Sequence, residues 1–141
     1  MIEYEFVREL PMEAVADLYA LYRAAGWWEE DPEAREAIPC MIRGSLCFLV
    51  AKSEEARVVG MGRVISDGVS DAYIQDVVVR AEYRRRGIGG EIIGRLVKHC
   101  TERGISWVGL VAEPGTQDFY RTLDFQEKPG FELMLLEEGR G

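Results

Sequence analysis

Arg84-Arg85-Arg86-Gly87-Ile88-Gly89-Gly90 sets fixed positive charge and glycine immediately ahead of an apolar run at helical spacing. A helix start leaves its first N–H groups without partners and carries partial positive charge. Glycines there let a ligand come close to the backbone, and the arginines add charge. The chemistry that fits is binding of a phosphate or pyrophosphate. Spacing narrows the choice. A dinucleotide fingerprint GxGxxG would need a third glycine where Ile92 stands, and the ATP-type GxxxxGK[ST] loop is absent. What remains is Arg84-x-x-Gly87-x-Gly89, after a strand and opening a helix.

Other residues could move protons. Asp76 lies in the strand before the arginines, and Glu29 and Glu30 follow the pair Trp27-Trp28, with Asp31 only extending the acidic run. Two tryptophans in a loop are costly unless buried or used for binding; here one is expected in each role. His99 falls at the edge of a helix's apolar face and reads as structural. Cys47 and Cys100 sit at core positions with no histidine near in sequence, which argues against a cysteine nucleophile. Three cysteines without a C-x-x-C pair predict neither a disulfide framework nor a zinc site, and no metal is expected. A reducing cytoplasm is the expected location.

The elements that position these residues follow from periodicity. Tyr73 to Arg80 reads as a strand rich in valine, and Ile88, Ile92, Ile93, Leu96, Val97 and Cys100 mark one face of a helix. Ahead of them come a strand over Ile2–Leu10 and a helix from Pro11 towards Gly26. A second helix runs from Pro32 to about Arg43, capped by Asp31, with Pro39 expected to disturb or shorten it. Ser45–Lys52 and Arg57–Ile65 form a hairpin. After the central helix, Ile105–Ala112 makes a strand and Gln117–Leu123 a short helix. Phe125–Glu127 and Phe131–Glu137 pair as a last hairpin. The 141 residues suit one domain, and no apolar run approaches the ~20 residues of a membrane span. No signal peptide is read at the N-terminus. Net charge is −8, but Arg80 to Arg103 alone is +4 and the rest −12. A globally acidic chain repels nucleic acid, so the basic stretch is a local anion site.

The R-x-x-G-x-G spacing and the element order β-α-α-β-β-β-α-β-α-β-β together resemble the GCN5-related N-acetyltransferase family. Phe119-Tyr120-Arg121-Thr122-Leu123-Asp124-Phe125 resembles that family's F-Y-x-x-x-G-F element, with Asp124 where glycine is usual; aspartate tolerates the left-handed conformation. The resemblance spans essentially the whole chain. It implies an α/β fold with a mixed sheet of six to seven strands and about four helices, splayed between the Tyr73–Arg80 and Ile105–Ala112 strands. It further implies that Arg84 to Gly90 hold the pyrophosphate of acetyl-CoA, that main-chain groups of Val77, Val78 and Val79 pair with the pantetheine arm, and that an N–H near Val78 polarises the thioester carbonyl. Tyr120 matches the tyrosine that serves the departing thiolate, with packing as its other role; Phe119 beside it can fill that packing role and joins the cofactor-binding set.

Gln75-Asp76-Val77-Val78-Val79 resembles the E-D-V/I-V-V stretch of glucosamine phosphate acetyltransferases. With glutamine at 75, only Asp76 could serve there as base; its alternative is a hydrogen bond that orders the sheet or a neighbouring loop. Trp27, Trp28, Glu29 and Glu30 would shape an acceptor wall that favours a cationic amine over a sugar phosphate. The function implied is acetyl transfer from acetyl-CoA to a primary amine, with no nucleic-acid or membrane partner and a homodimer left open. The rival from another class is a non-catalytic acyl-CoA-binding or regulatory module on the same fold, and retention of Tyr120 favours catalysis.

Overall fold

A computed structural model describes residues 1–137, divided between two compact units, one of Met1–Leu110 and a second beginning at Val111. The first begins with β1 (Glu3–Phe6), α1 (Met12–Ala24) and α2 (Pro32–Gly44), followed by β2 (Cys47–Lys52), β3 (Val58–Ser66) and β4 (Asp71–Val79). A 3-10 turn (Ala81–Tyr83), α3 (Ile88–Thr101) and β5 (Trp107–Gly109) complete it. The second unit carries α4 (Gln117–Arg121).

The sheet runs β1-β2-β3-β4-β5, antiparallel up to β4 and parallel between β4 and β5. Parallel neighbours need a crossover, and α3 supplies it. Five strands form among the described residues, not six to seven. The expected hairpin of Phe125–Glu127 with Phe131–Glu137 is absent, although its turn closes through Phe131 N–H to the Lys128 carbonyl at 3.2 Å. An isolated hairpin is marginal, and Phe131, Leu133, Met134, Leu135 and Leu136 have no buried face to hold them in one, all being exposed.

The sequence places alternate residues of β3 against different layers. Met61 joins the core made with α1 and α2, which includes Leu18, Leu21, Tyr22, Ile38, Ile42, Phe48 and Val50. Gly60 and Gly62 point the other way, under α3. A Cβ at Gly62 would stand 2.8 Å from Ile92 Cγ2 and 3.0 Å from Leu96 Cδ1, so glycine lets the helix seat directly on the strand. The apolar face of α3, Ile88, Ile92, Ile93, Leu96 and Cys100, is fully covered. Asp17 pins α1 to the start of β3, taking Arg57 Nε at 3.1 and 3.0 Å and the Val58 N–H at 3.0 Å.

Two smaller expectations shift. The first strand is confined to Glu3–Phe6. Pro39 does not shorten α2, which runs to Gly44 with Asp31 as its cap, accepting the Glu33 N–H at 3.0 Å. Ile38 and Ile42, essentially unexposed, anchor the helix on both sides of the proline, so packing outweighs the missing N–H.

Candidate active site

β4 holds the centre. It pairs with β5 only from Asp71–Tyr73 against Trp107–Gly109, while its pairing with β3 continues to Val79. Among the described residues, the second edge of β4 from Ile74 to Val79 therefore has no strand beside it. The following strand is Trp107–Gly109, shorter than the expected Ile105–Ala112, and all three of its residues pair with β4. Such an edge offers main-chain donors and acceptors to an extended ligand. Val77 and Val79 are half-buried and Val78 is buried, so their side chains hold the strand while the backbone stays available.

The strand is also bulged. Register shifts between Met61 and Arg63 on β3, where Asp76 and Val77 together oppose Gly62, and Asp76 takes a left-handed φ of 60°. Bulges re-aim side chains and occur beside active sites. Here Val77 packs towards Gly62 and α3, whereas Val78 joins the α1–α2 core. The Asp76 carboxylate reaches two donors: Tyr22 Oη at 2.6 Å and Arg63 Nε at 2.7 Å, both on Oδ2. Burial, then the Asp76 charge, push the Tyr22 phenol far up, so it stays a donor.

Beyond Val79 the chain makes its 3-10 turn and enters α3. Arg84 Nε donates to the Val79 carbonyl at 3.1 Å, fixing the turn to the strand end. Arg85 is left-handed at φ 65°, and the Arg86 guanidinium lies 4.9 Å from the Tyr83 ring centroid. Gly87 caps the helix at φ 79°, and a Cβ built there meets nothing within 4 Å. The first turn bond is Glu91 N–H to the Gly87 carbonyl at 3.0 Å. The N–H groups of Ile88, Gly89 and Gly90 precede it and have no intrahelical acceptor. Open space above a left-handed glycine, free N–H groups and three exposed arginines fit a pyrophosphate. Ile88 itself is buried, so only its backbone can face a ligand.

The loop after α1 is held by aromatic contacts. Trp28 stacks on Tyr22 with centroids 4.1 Å apart and planes 9° from parallel; Trp27 meets the same ring edge-on at 6.1 Å. Trp28 is half-buried against the core, and Trp27 is 37% exposed. Glu29 and Glu30 are exposed, with Glu30 Oε1 3.8 Å from Arg23. Asp31 N–H donates to Tyr19 Oη at 2.6 Å.

In the second unit, Tyr120 is packed edge-on between Phe119 at 5.0 Å and Phe125 at 6.0 Å. Burial and then the nearby Glu113 charge raise its phenol above the ordinary value, so it keeps its proton at neutral pH. Asp124 adopts φ 71°, the left-handed state that glycine would take in the related element. The cysteines do not suit nucleophilic work: burial pushes the Cys47 thiol up to about 12, and raises Cys100 too. His99 stands in the last turn of α3, tilted on Phe6 at 4.9 Å, far along the helix from its glycine start.

The structure brings Asp76 to Val79, Arg84 to Gly90 and the Trp27–Trp28 loop into one unit. Tyr22 and Arg63 were missed as partners of this site. Tyr22 shows in sequence only as a core position of α1, and its contact lies 54 residues away. Gly60-x-Gly62 carried a signal, since glycine within a strand marks close approach of another element.

Known proteins agree with this geometry. The family model described as "Acetyltransferase (GNAT) family" matches residues 12–125. An uncharacterized N-acetyltransferase, ycf52, of Porphyra purpurea is 31% identical over 103 residues, 72% of this chain and 59% of that protein. Serotonin N-acetyltransferase 2, chloroplastic, of Oryza sativa subsp. japonica is 38% identical over 79 residues, 56% of this chain and 40% of its own length. The chain spans between 30% and 59% of the length of the curated relatives it matches. A GNAT-family acetyltransferase structure from Streptococcus pneumoniae TIGR4 superposes with a TM-score of 0.76 at 26% identity, covering 97% of this chain and 100% of the other. A short parallel pairing of two strands, a glycine-capped helix after the first of them, and a family match over most of the chain lead to one assignment: this chain belongs to the GNAT acetyltransferase family.

Proposed function

We propose that this chain is an acetyl-CoA-dependent N-acetyltransferase, transferring acetyl directly to a primary amine on a small cationic or neutral acceptor or a lysine. The observation that carries the reading is the unpaired edge of β4 leading into the left-handed Gly87 and the free N–H groups of α3. In this reading Arg84, Arg85, Arg86 and the N–H groups from Gly87 to Gly90 bind the pyrophosphate. Main-chain groups of Val77, Val78 and Val79 bind the arm that follows it. CoA supplies an acetyl thioester, and two proton tasks fall to the chain. The acceptor amine, with an ordinary pKa near ~10, must lose a proton before it attacks, and the departing thiolate must gain one. Tyr120 serves the second task, for its raised phenol holds a proton to give. Phe119 packs against it.

For the first task Asp76 is a poor candidate on geometry, since Oδ2 already takes two short hydrogen bonds. Glu29, exposed beside the tryptophans, fits better as the group that receives the proton directly or through water. A wall of tryptophan and carboxylate attracts an amine cation. Serotonin, the acceptor in one relative's name, has this chemistry.

The test is thiol release from acetyl-CoA across a panel of aromatic amines, polyamines, amino acids and lysine peptides. Turnover with an amine supports the reading. Binding of CoA with no thiol release from any acceptor would instead support the non-catalytic binding module.

A further inference from the structure

The network around Asp76 joins parts of the chain that chemistry must keep in register. Asp76 sits at the β4 bulge, one residue ahead of the valines assigned to the thioester arm. On one side its Oδ2 takes Arg63 Nε, and Arg63 reaches on to Ser45 Oγ at 3.4 Å, whose hydroxyl donates to the Met41 carbonyl at 2.7 Å. On the other side it takes Tyr22, whose ring is the platform for Trp28. The ion pair is largely enclosed, with 14% of the Arg63 side chain and 19% of Asp76 exposed. Tyr22 is 1% exposed. A charged hydrogen-bonded pair at such depth fixes its neighbours, because losing either partner strands the other.

We propose that Tyr22 and Arg63 are positioning residues that, acting through Asp76, tie the Trp27–Trp28 loop to the bulged strand carrying Val77–Val79. The inference rests on the acetyl-transfer reading for its kinetic consequence, not for its geometry. Movement of the acceptor loop is thereby coupled to the strand that would polarise the thioester. Asp76 is the joint: its left-handed φ fixes the bulge, and its carboxylate joins the two sides.

Two variants test this while sparing the fold. Tyr22→Phe keeps the ring under Trp28 and removes only the hydroxyl. Asp76→Asn keeps an acceptor and a residue that tolerates left-handed backbone. Hydrogen exchange followed by mass spectrometry should show faster exchange in both variants at 27–31 and at 75–79 together, with α3 unchanged. Kinetically, Tyr22→Phe should raise acceptor KM about tenfold, the scale of one hydrogen bond to a charged group, and leave acetyl-CoA KM within about twofold. The double variant should be little worse than the worse single one, and Asp76→Asn should keep the acidic limb of the kcat/KM profile. Exchange that rises in only one of the two segments overturns the coupling. Loss of the acidic limb with a collapse of kcat in Asp76→Asn would make Asp76 the base and overturn its positioning role. A wild-type protein silent with every amine would sink the acetyl-transfer reading, whereas the exchange result would still decide this one.

Discussion

The two ends of the site are built on different principles. The turn from Arg84 to Gly90 is local: a few consecutive residues supply charge, a left-handed glycine and a helix start, and nothing distant is needed to define them. The loop from Trp27 to Asp31 takes its place from partners elsewhere in the chain. It is seated through Tyr22, and Tyr22 is seated through Asp76, 54 residues on. In the proposed reading the first arrangement would present backbone to CoA, and the second would present side chains, which can be exchanged to change the acceptor without disturbing the cofactor end. Damage at the first should therefore be felt in CoA binding, and damage at the second in acceptor binding.

The largest effect is expected at a residue serving neither end, the proposed proton donor. Tyr120→Phe should lower kcat by roughly 10²–10⁴-fold and leave both binding constants nearly intact. Its pH profile sharpens the point. Burial, with the nearby Glu113 charge, raises this phenol above its ordinary value, so the donor form persists through neutral pH and wild-type kcat should fall only well on the alkaline side. A fully active Tyr120→Phe enzyme would return the ring to packing between Phe119 and Phe125.

Gly87→Val comes next. The left-handed φ of 79° disfavours a β-branched residue by about 1–2 kcal/mol, and the new side chain would fill the open space over the helix start. Acetyl-CoA affinity measured by calorimetry should fall on the order of 100-fold, with acceptor binding little altered. Unchanged affinity in a folded Gly87→Val protein would remove the pyrophosphate from this turn.

How much of this could be read from sequence follows the same division. The basic turn, the amphipathic α3 and the valine strand were legible because their signals lie within a few residues of one another. Gln117–Arg121 and the left-handed Asp124 were legible through a local motif. The bulge at Asp76 was not, since it exists only relative to β3, and a register shift leaves no mark in the β4 sequence alone. Nor was the seating of Trp28 on Tyr22, because a tyrosine at helical spacing looks the same whether it fills a core or supports a loop. The expected last hairpin failed for a related reason. Its turn residues did their local work, but a strand needs a partner, which Phe131-Glu132-Leu133-Met134-Leu135-Leu136 does not find among the described residues.

A third variant, smaller in effect, breaks the comparison if it fails. Gly62→Ala would set a methyl 2.8 Å from Ile92, and overpacking of that kind costs about 1–3 kcal/mol. Thermal unfolding should show a lower midpoint, with helix α3 displaced from the strand. If CoA binding weakens in step, the cofactor end depends on the seating of α3 as well as on its own turn. If stability falls but affinity holds, the turn is as self-contained as its sequence suggests.

The smallest effect concerns acceptor charge. Glu29 and Glu30 are both exposed, yet they are not equivalent, because Glu30 lies 3.8 Å from Arg23. Part of the Glu30 charge is answered within the protein, leaving Glu29 the stronger attraction for an amine cation beside Trp27. Exposed charge pairs are worth little each, so Glu29→Gln should raise acceptor KM by about two- to fivefold and Glu30→Gln by less. Neither should alter acetyl-CoA KM. Salt should weaken wild-type acceptor binding, since screening is strong once the Debye length shortens to ~10 Å at 0.1 M, and the double variant should lose most of that sensitivity. A carboxylate near the amine also favours its protonated form, so attraction opposes deprotonation, and kcat/KM should rise with pH until the free amine predominates. An anionic acceptor outperforming every amine, or a double variant with unchanged salt dependence, would show that the loop selects by shape and not by charge.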